Sequence, residues 1–286
     1  MYVILLLISA YSIPMAVSKV VSERLALKQY RNAQKVFHGA LLYAMIVGGV
    51  AALVAFFFGN YLLPVNQQQA LLALRMLAPT IFFSAILGVM RGYFQAHSTM
   101  MPTSISQILE QIFNAAVSLI VAWMFIRYFA DGSDGSVAKW GAAGSTVGTT
   151  AGVVIALLFM LMVYGVNRRA IRRRVDRDRV HKEESYGEIL RLIILIVSPI
   201  ILSSFIYNIN GYLNGVLYSE IMGKHGADAD TISMLYAEYA TYFMSIINIP
   251  LTLSSAAPTS MIPEVSALYA TGDIDETRRR VDQTVQ

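Results

Sequence analysis

Five polar residues, Thr103, Gln107, Glu110, Asn114 and Ser118, sit in an otherwise apolar stretch at steps of 4, 3, 4 and 4 residues. Helical geometry puts all five on one face. A carboxylate in such a row can hold a proton, a cation or a basic side chain of another helix, and the amides beside it can bind hydroxylated ligands. Two further rows repeat the device: Ser204, Asn208, Gly211, Asn214 and Tyr218, then Glu238, Thr241, Ser245, Asn248, Thr252 and Ser255. Polar side chains facing lipid are costly, so these rows must face other helices or water. Interhelical hydrogen bonding answers for any one row as well as a cavity does. Three rows, two of them holding a carboxylate, favour a hydrated central cavity. Its candidate lining is Gln107, Glu110, Asn114, Asn208, Asn214, Glu238 and Asn248.

The stretches that carry these rows are too apolar for a water-soluble core. Hydrophobic residues make up 56% of the 286 and charged residues only 14%, against about 25% charged in soluble domains. Apolar runs able to cross about 30 Å of hydrocarbon cover roughly 1–21, 37–59, 71–92, 102–128, 138–166, 187–219 and 232–258. The fold class expected is therefore all-α, a polytopic membrane helix bundle with seven spans. Residues 1–8 lack a basic flank and a cleavage site, so they do not read as a signal peptide. Without cysteine there is no disulfide and no thiolate metal site, and no P-loop is present. No cofactor and no catalytic constellation are expected, and the chain does not read as an enzyme.

Charge sets the direction. Eighteen of the 22 Lys and Arg residues fall in the segments on one side of the spans, three on the other, and Arg75 lies within a span. The net charge of +4 thus reflects topology and not a nucleic-acid-binding face. The basic side is cytoplasmic by the positive-inside rule, so the first span runs inward from outside. Lys19, Arg24 and Arg91 lie near the cytoplasmic ends of their spans, where they could meet a diphosphate. Arg75 lies about 6 Å inside the outer end of its span by helical rise. It either snorkels to the interface or faces the cavity.

Other features concern architecture. Gly144, Gly148 and Gly152 form a doubled small-residue repeat, as Gly88 and Gly92 do in the third span, and such faces let helix backbones approach closely. Pro14, Pro79, Pro199 and Pro250 each fall within a span, where each bends its helix and is a candidate hinge. Residues 167–184 hold eight basic and four acidic side chains and read as a solvated cytoplasmic linker resting on anionic lipid. An internal repeat links Ser12-Ile13-Pro14-Met15 to Asn248-Ile249-Pro250-Leu251, six spans apart and in the same orientation, as in a parallel two-lobe transporter. This organisation divides the chain into an N-terminal lobe over 1–166 that lacks its first helix, a linker over 167–185, and the start of a C-terminal lobe over 186–286.

The stretch Arg91-Gly92-Tyr93-Phe94-Gln95, then Met101-Pro102-Thr103, Ser106-Gln107 and Glu110-Gln111, resembles the helix 4–5 region of the polysaccharide-export flippases. It is most similar to the stage V sporulation protein B and lipid II flippase branch of the MOP superfamily. Ser12 to Lys19 with Glu23, and Pro250 through Ile262-Pro263-Glu264, resemble that family's second and eighth helices. The resemblance implies a bacterial cell-membrane protein of twelve to fourteen helices in two lobes around a V-shaped cavity, of which this chain covers helices two to eight. It implies export of a polyprenyl-linked oligosaccharide or a lipid II-like peptidoglycan precursor from inner to outer leaflet. The partners implied are that lipid-linked glycan, membrane lipids and a coupling ion, H+ or Na+, with no nucleic acid. The family's cavity arginine in the eighth helix has no clear counterpart, and Glu238 stands in its region.

Two alternatives have their own signatures. A cation-coupled multidrug exporter of the same superfamily would use Glu110 or Glu238 as its coupling carboxylate. A membrane glycosyltransferase would need a DxD motif, and Asp176-Arg177-Asp178, Asp228-Ala229-Asp230 and Asp273-Ile274-Asp275 all match. Three matches in unrelated loops, with no further clustered carboxylates, argue against it. The topology is directly testable: cysteine placed at Gln68 should label from outside and cysteine at Arg173 from inside. Reversed accessibility would overturn the map.

Overall fold

The computed structural model describes residues 12–62, 71–178, 184–227 and 229–285, and every regular element among them is helical. In chain order these are α1 (Ser12–Ala26), α2 (Tyr30–Phe57), α3 (Leu71–Ala96), α4 (Met101–Phe129), α5 (Asp134–Arg177), α6 (Tyr186–Lys224), α7 (Ala229–Glu238), α8 (Met244–Thr271) and α9 (Ile274–Val285). A single turn, Gly59–Leu62, follows α2, and a π-helical stretch, Tyr239–Phe243, joins α7 to α8. The molecule is an all-α polytopic membrane bundle.

Among the described residues five helices, α2 to α6, are long and apolar enough to cross a bilayer, and they coincide with the second to sixth predicted spans. The first predicted span falls mostly outside the described residues, and α1 covers its inner end. The seventh, 232–258, is not one regular helix. Five π-helical residues interrupt it, because a π turn breaks the regular i to i+4 ladder.

The central core is built from α1, α2, α3 and α5, with Val17, Val20, Val36, Phe37, Met90 and Met160 among its buried members. Ile189, Ile193 and Val197 join it, one apolar row at four-residue steps on α6. That helix therefore begins against the N-terminal bundle. Farther along, Leu202, Ile206 and Leu213 are exposed. The start of α6 is well defined because Ser185 and Glu188 form a reciprocal capping box, which satisfies two otherwise orphaned backbone donors. The helices that carry Ile13-Pro14 and Ile249-Pro250, α1 and α8, pack against each other.

Glycines set the closest approaches. A Cβ on Gly92 would stand 2.6 Å from Pro14 O, so α3 meets α1 backbone to backbone at that proline. On α5, Gly144, Gly148 and Gly152 lie against Ala122, Ser118 and Glu110 with Asn114. The glycine row of α5 thus receives the polar row of α4, and these two helices share the most extensive contact in the bundle. Pro79 and Pro199 lie inside α3 and α6, and Pro250 lies within α8.

The expected linker differs from its sequence reading. Its first part, to Arg177, is the end of α5, a helix of 44 residues. At 1.5 Å per residue it runs about 66 Å, twice the hydrocarbon thickness. Nothing between Asn167 and Arg177 is Gly or Pro, and its Arg-rich composition has good helix propensity, so the helix continues past the apolar span.

Gly148→Val should destabilise the protein by about 1–3 kcal/mol, the usual range for overpacking, because its Cβ would lie 2.6 Å from Ser118 Cα. Gly165→Ala, with nothing within 4 Å, should be nearly neutral. Thermal denaturation in detergent separates the two. Equal melting of Gly148→Val and the parent would refute the close α4–α5 approach.

Candidate functional site

Arg91 lies near the C-terminal end of α3, and a short turn carries the chain into α4. His97 Nδ1 lies 2.9 Å from Tyr93 O, and Thr99 donates to Phe94 O at 3.0 Å, so the turn satisfies carbonyls that the end of α3 would leave open. Pro102 follows in the first turn of α4, where its missing N–H costs nothing. This tight reversal joins the end of α3 to the start of α4 and brings Arg91 opposite Ser106 and Glu110.

The contact is an ion pair closed by a hydroxyl. Arg91 Nη2 lies 2.7 Å from Glu110 Oε2, and Arg91 Nε donates to Ser106 Oγ at 2.9 Å. Ser106 is fully buried and donates in turn to Thr103 O at 2.7 Å. The side chains of Arg91 and Glu110 are 15% and 20% exposed. Glu110 stands about 12 Å up α4 from Pro102, too deep for a short carboxylate to reach the interface. An unpaired charge there would cost several kcal/mol, and the guanidinium removes that cost through a short charge-assisted bond. The pair uses one face of each group. Among the described residues, Arg91 Nη1 and Glu110 Oε1 make no hydrogen bond.

The rest of the α4 row goes elsewhere. Asn114 Oδ1 lies 3.0 Å from Ser118 Oγ and 3.3 Å from Thr149 Oγ1, and Ser118 Oγ lies 2.7 Å from Ser145 O. Asn114 and Ser118 therefore belong to the α4–α5 seam and do not face open space. The physical reason is the α5 glycine row, which admits polar groups close to backbone carbonyls. Gln107 is exposed and Thr103 buried. Among the described residues the Thr103 hydroxyl has no partner.

The other candidates separate. Lys19 is exposed. Arg24 instead pairs with Glu23 at 3.2 Å and with Glu184 at 3.3 Å, so it ties the segment before α6 to the end of α1. Asn32 accepts from Glu184 N at 3.0 Å, Lys35 donates to Glu184 O at 3.2 Å, and Asp178 accepts from Arg31 N at 3.1 Å. Arg75 is half-buried with its Nε enclosed and unpartnered among the described residues. Asn214, Glu238 and Asn248 are exposed, and the side chain of Asn208 lies outside those described. The structure thus brings together Arg91 and Glu110 from the candidate set and adds Ser106. The i, i+4 spacing of Ser106 and Glu110 was a usable signal, since it puts both on one helical face.

An all-helical bundle with five helices long and apolar enough to cross a bilayer defines a multi-pass membrane protein. The profile of the polysaccharide biosynthesis protein family matches residues 1–268, and the chain belongs to that family. It is similar to stage V sporulation protein B of Bacillus subtilis (strain 168), 20% identical over 98% of this chain and 52% of that protein. It is equally similar to the lipid II flippase MurJ of the same organism, 20% identical over 100% of this chain and 53% of that protein. The chain spans about half the length of these curated relatives.

The pair should behave as a coupled unit. Arg91→Gln and Glu110→Gln should each destabilise by about 1–3 kcal/mol, the range for leaving a buried group unpaired, and the double variant by clearly less than their sum. Chemical denaturation of the four proteins gives the coupling. Strict additivity would mean that the two side chains do not interact.

Proposed function

We propose that the chain belongs to a flippase that moves a polyprenyl-linked oligosaccharide or lipid II-like precursor from the inner to the outer leaflet. Its headgroup would enter from the cytoplasmic side while the polyprenyl tail stays in lipid. The observation that carries this reading is the Arg91–Ser106–Glu110 cluster, held within the bundle of a family whose relatives include a lipid II flippase. We assign substrate contact to Arg91, Gln107 and Glu110 in the N-terminal lobe and to Asn214, Glu238 and Asn248 in the C-terminal one.

The chemistry follows from the two open positions on the pair. A diphosphate can approach Arg91 through Nη1 and then displace Glu110, exchanging one anion for another at the same guanidinium. The desolvation cost of the arginine is already met in the resting pair, so the exchange is nearly balanced. The released carboxylate then takes up a proton or a cation, which makes substrate binding and ion binding one event. When the diphosphate leaves on the outer side, Glu110 loses that ion and returns to Arg91. The two negative charges of the diphosphate move outward with the one positive charge taken up at Glu110. One net negative charge therefore crosses and gains about 2.3 kcal/mol through about 100 mV, which favours export without nucleotide hydrolysis.

Glu110→Gln keeps shape and hydrogen bonding but removes ionisation. In the protein expressed from its complete reading frame, compared at matched membrane levels, it should lose flipping by tenfold or more, about 1.4 kcal/mol on the barrier. Full flipping by Glu110→Gln at matched expression would sink the exchange mechanism and return Glu110 to packing.

A further inference from the structure

A cavity of about 450 Å³ lies at the end of the bundle where α3 turns into α4, and neither Arg91 nor Glu110 lines it. It is enclosed by the α1–α2 turn, the α3–α4 turn and the projecting end of α5, and its size falls in the range of small-ligand sites. Its lining includes one cation, Arg174, and no acidic residue. Phe94, Ile171 and Val175 form apolar wall, and Tyr30, His97 and Asn167 supply polar atoms.

The polar atoms are defined in kind. A backbone carbonyl can only accept, so the 2.9 Å contact of His97 with Tyr93 O makes Nδ1 the donor and leaves Nε2 as an acceptor. Burial holds the His97 ring below its ordinary pKa, and Arg174 nearby acts in the same direction, which keeps it neutral. Asn167 spends its amide N–H on Val163 O at 2.8 Å, leaving its carbonyl oxygen as a second acceptor. The cavity thus combines one guanidinium with acceptors suited to hydroxyl groups.

The mouth adjoins lipid. Met162, Val166, Ala170 and Arg174 follow one another at four-residue steps on α5, so they form one row, and Met162 and Val166 are exposed. On α4, Met101 lines the cavity, and Ile105 and Ile108 above it are exposed on the same face. Two apolar rows therefore lead from the cavity into the hydrocarbon layer, as the chains of an amphiphile require. Arg168, Arg169, Arg172, Arg173 and Arg177 share the α5 projection and raise the local anion concentration at the cytoplasmic leaflet.

We propose that this cavity binds the headgroup of an anionic glycerophospholipid of the cytoplasmic leaflet that carries free hydroxyls, with its phosphate on Arg174, its hydroxyls on His97 Nε2 and Asn167, and its acyl chains along the α4 and α5 rows. The lipid would brace the α5 projection against the α1–α2 turn, where the segment leading to α6 is also tied.

Native mass spectrometry of the protein from its complete reading frame tests this, with phosphatidylglycerol, phosphatidylethanolamine and glycerol 1-phosphate as probes. One phosphatidylglycerol should be retained at least tenfold better than phosphatidylethanolamine. Arg174→Gln should abolish that preference, and Ala170→Trp, which crowds the mouth, should weaken it several-fold. Arg173→Gln, exposed on the same helix but outside the cavity, should leave it unchanged. Unaltered retention by Arg174→Gln would overturn the proposal. So would an equal loss in Arg173→Gln, which would mark a diffuse basic surface, or glycerol 1-phosphate binding as tightly as the lipid, which would mark a soluble ligand. Lipid retention is read without flipping, so failure of the transport reading leaves this test intact.

Discussion

The hydrocarbon layer supplies no hydrogen bonds, and each polar group that α3, α4 and α5 carry into it has to be answered from within the bundle. This constraint shapes the N-terminal half. Glu110 is answered by Arg91, Ser106 by Arg91 and a backbone carbonyl, and Asn114 by Ser118 and Thr149. Thr80 and Thr150 lie 2.6 Å apart and answer each other across α3 and α5. The contacts of Asn114 and Ser118 with α5 form only where the two backbones come close, which is what Gly144, Gly148 and Gly152 permit. The small-residue rows and the polar rows are thus one device: the first sets the distance at which the second can pair.

The same constraint gives the ion pair its functional potential. A fully enclosed pair would be inert, and a fully exposed one would be dispersed by solvent and salt. At 15% and 20% exposure the guanidinium is bound but reachable. In the proposed exchange an incoming anion would compete with one carboxylate and would not have to strip an arginine of water.

At the cytoplasmic end the balance changes, because water is available and side-chain pairing becomes a matter of position more than of necessity. There the chain spends Arg24, Asn32 and Lys35 on a single residue, Glu184, and the backbone N–H of Arg31 on Asp178. Both ends of the segment joining α5 to α6 are tied to the α1–α2 turn. Whatever displaces α6 must therefore act on α1, the helix that packs against both α3 and α8.

Much of this was legible in the residues alone. Hydropathy located the five spans that α2 to α6 provide, because burial in lipid is a property of each segment by itself. Periodicity put Glu110 on a polar face and the glycines on a packing face, because helical geometry is local. The partners were not legible. The row through Glu110, Asn114 and Ser118 reads as one surface, yet the tertiary structure divides it, sending Glu110 to α3 and the other two to α5. Arg24 reads as a topology charge beside a ligand-facing mouth, yet it is held by a carboxylate 160 residues away. The basic stretch after Tyr164 reads as a linker, yet α5 runs through it and closes a cavity against the α3–α4 turn. In each case the side chain's chemistry and its helical face follow from neighbours within one or two turns. The group that satisfies it depends on which backbones the glycines allow to meet, and only the folded bundle decides that.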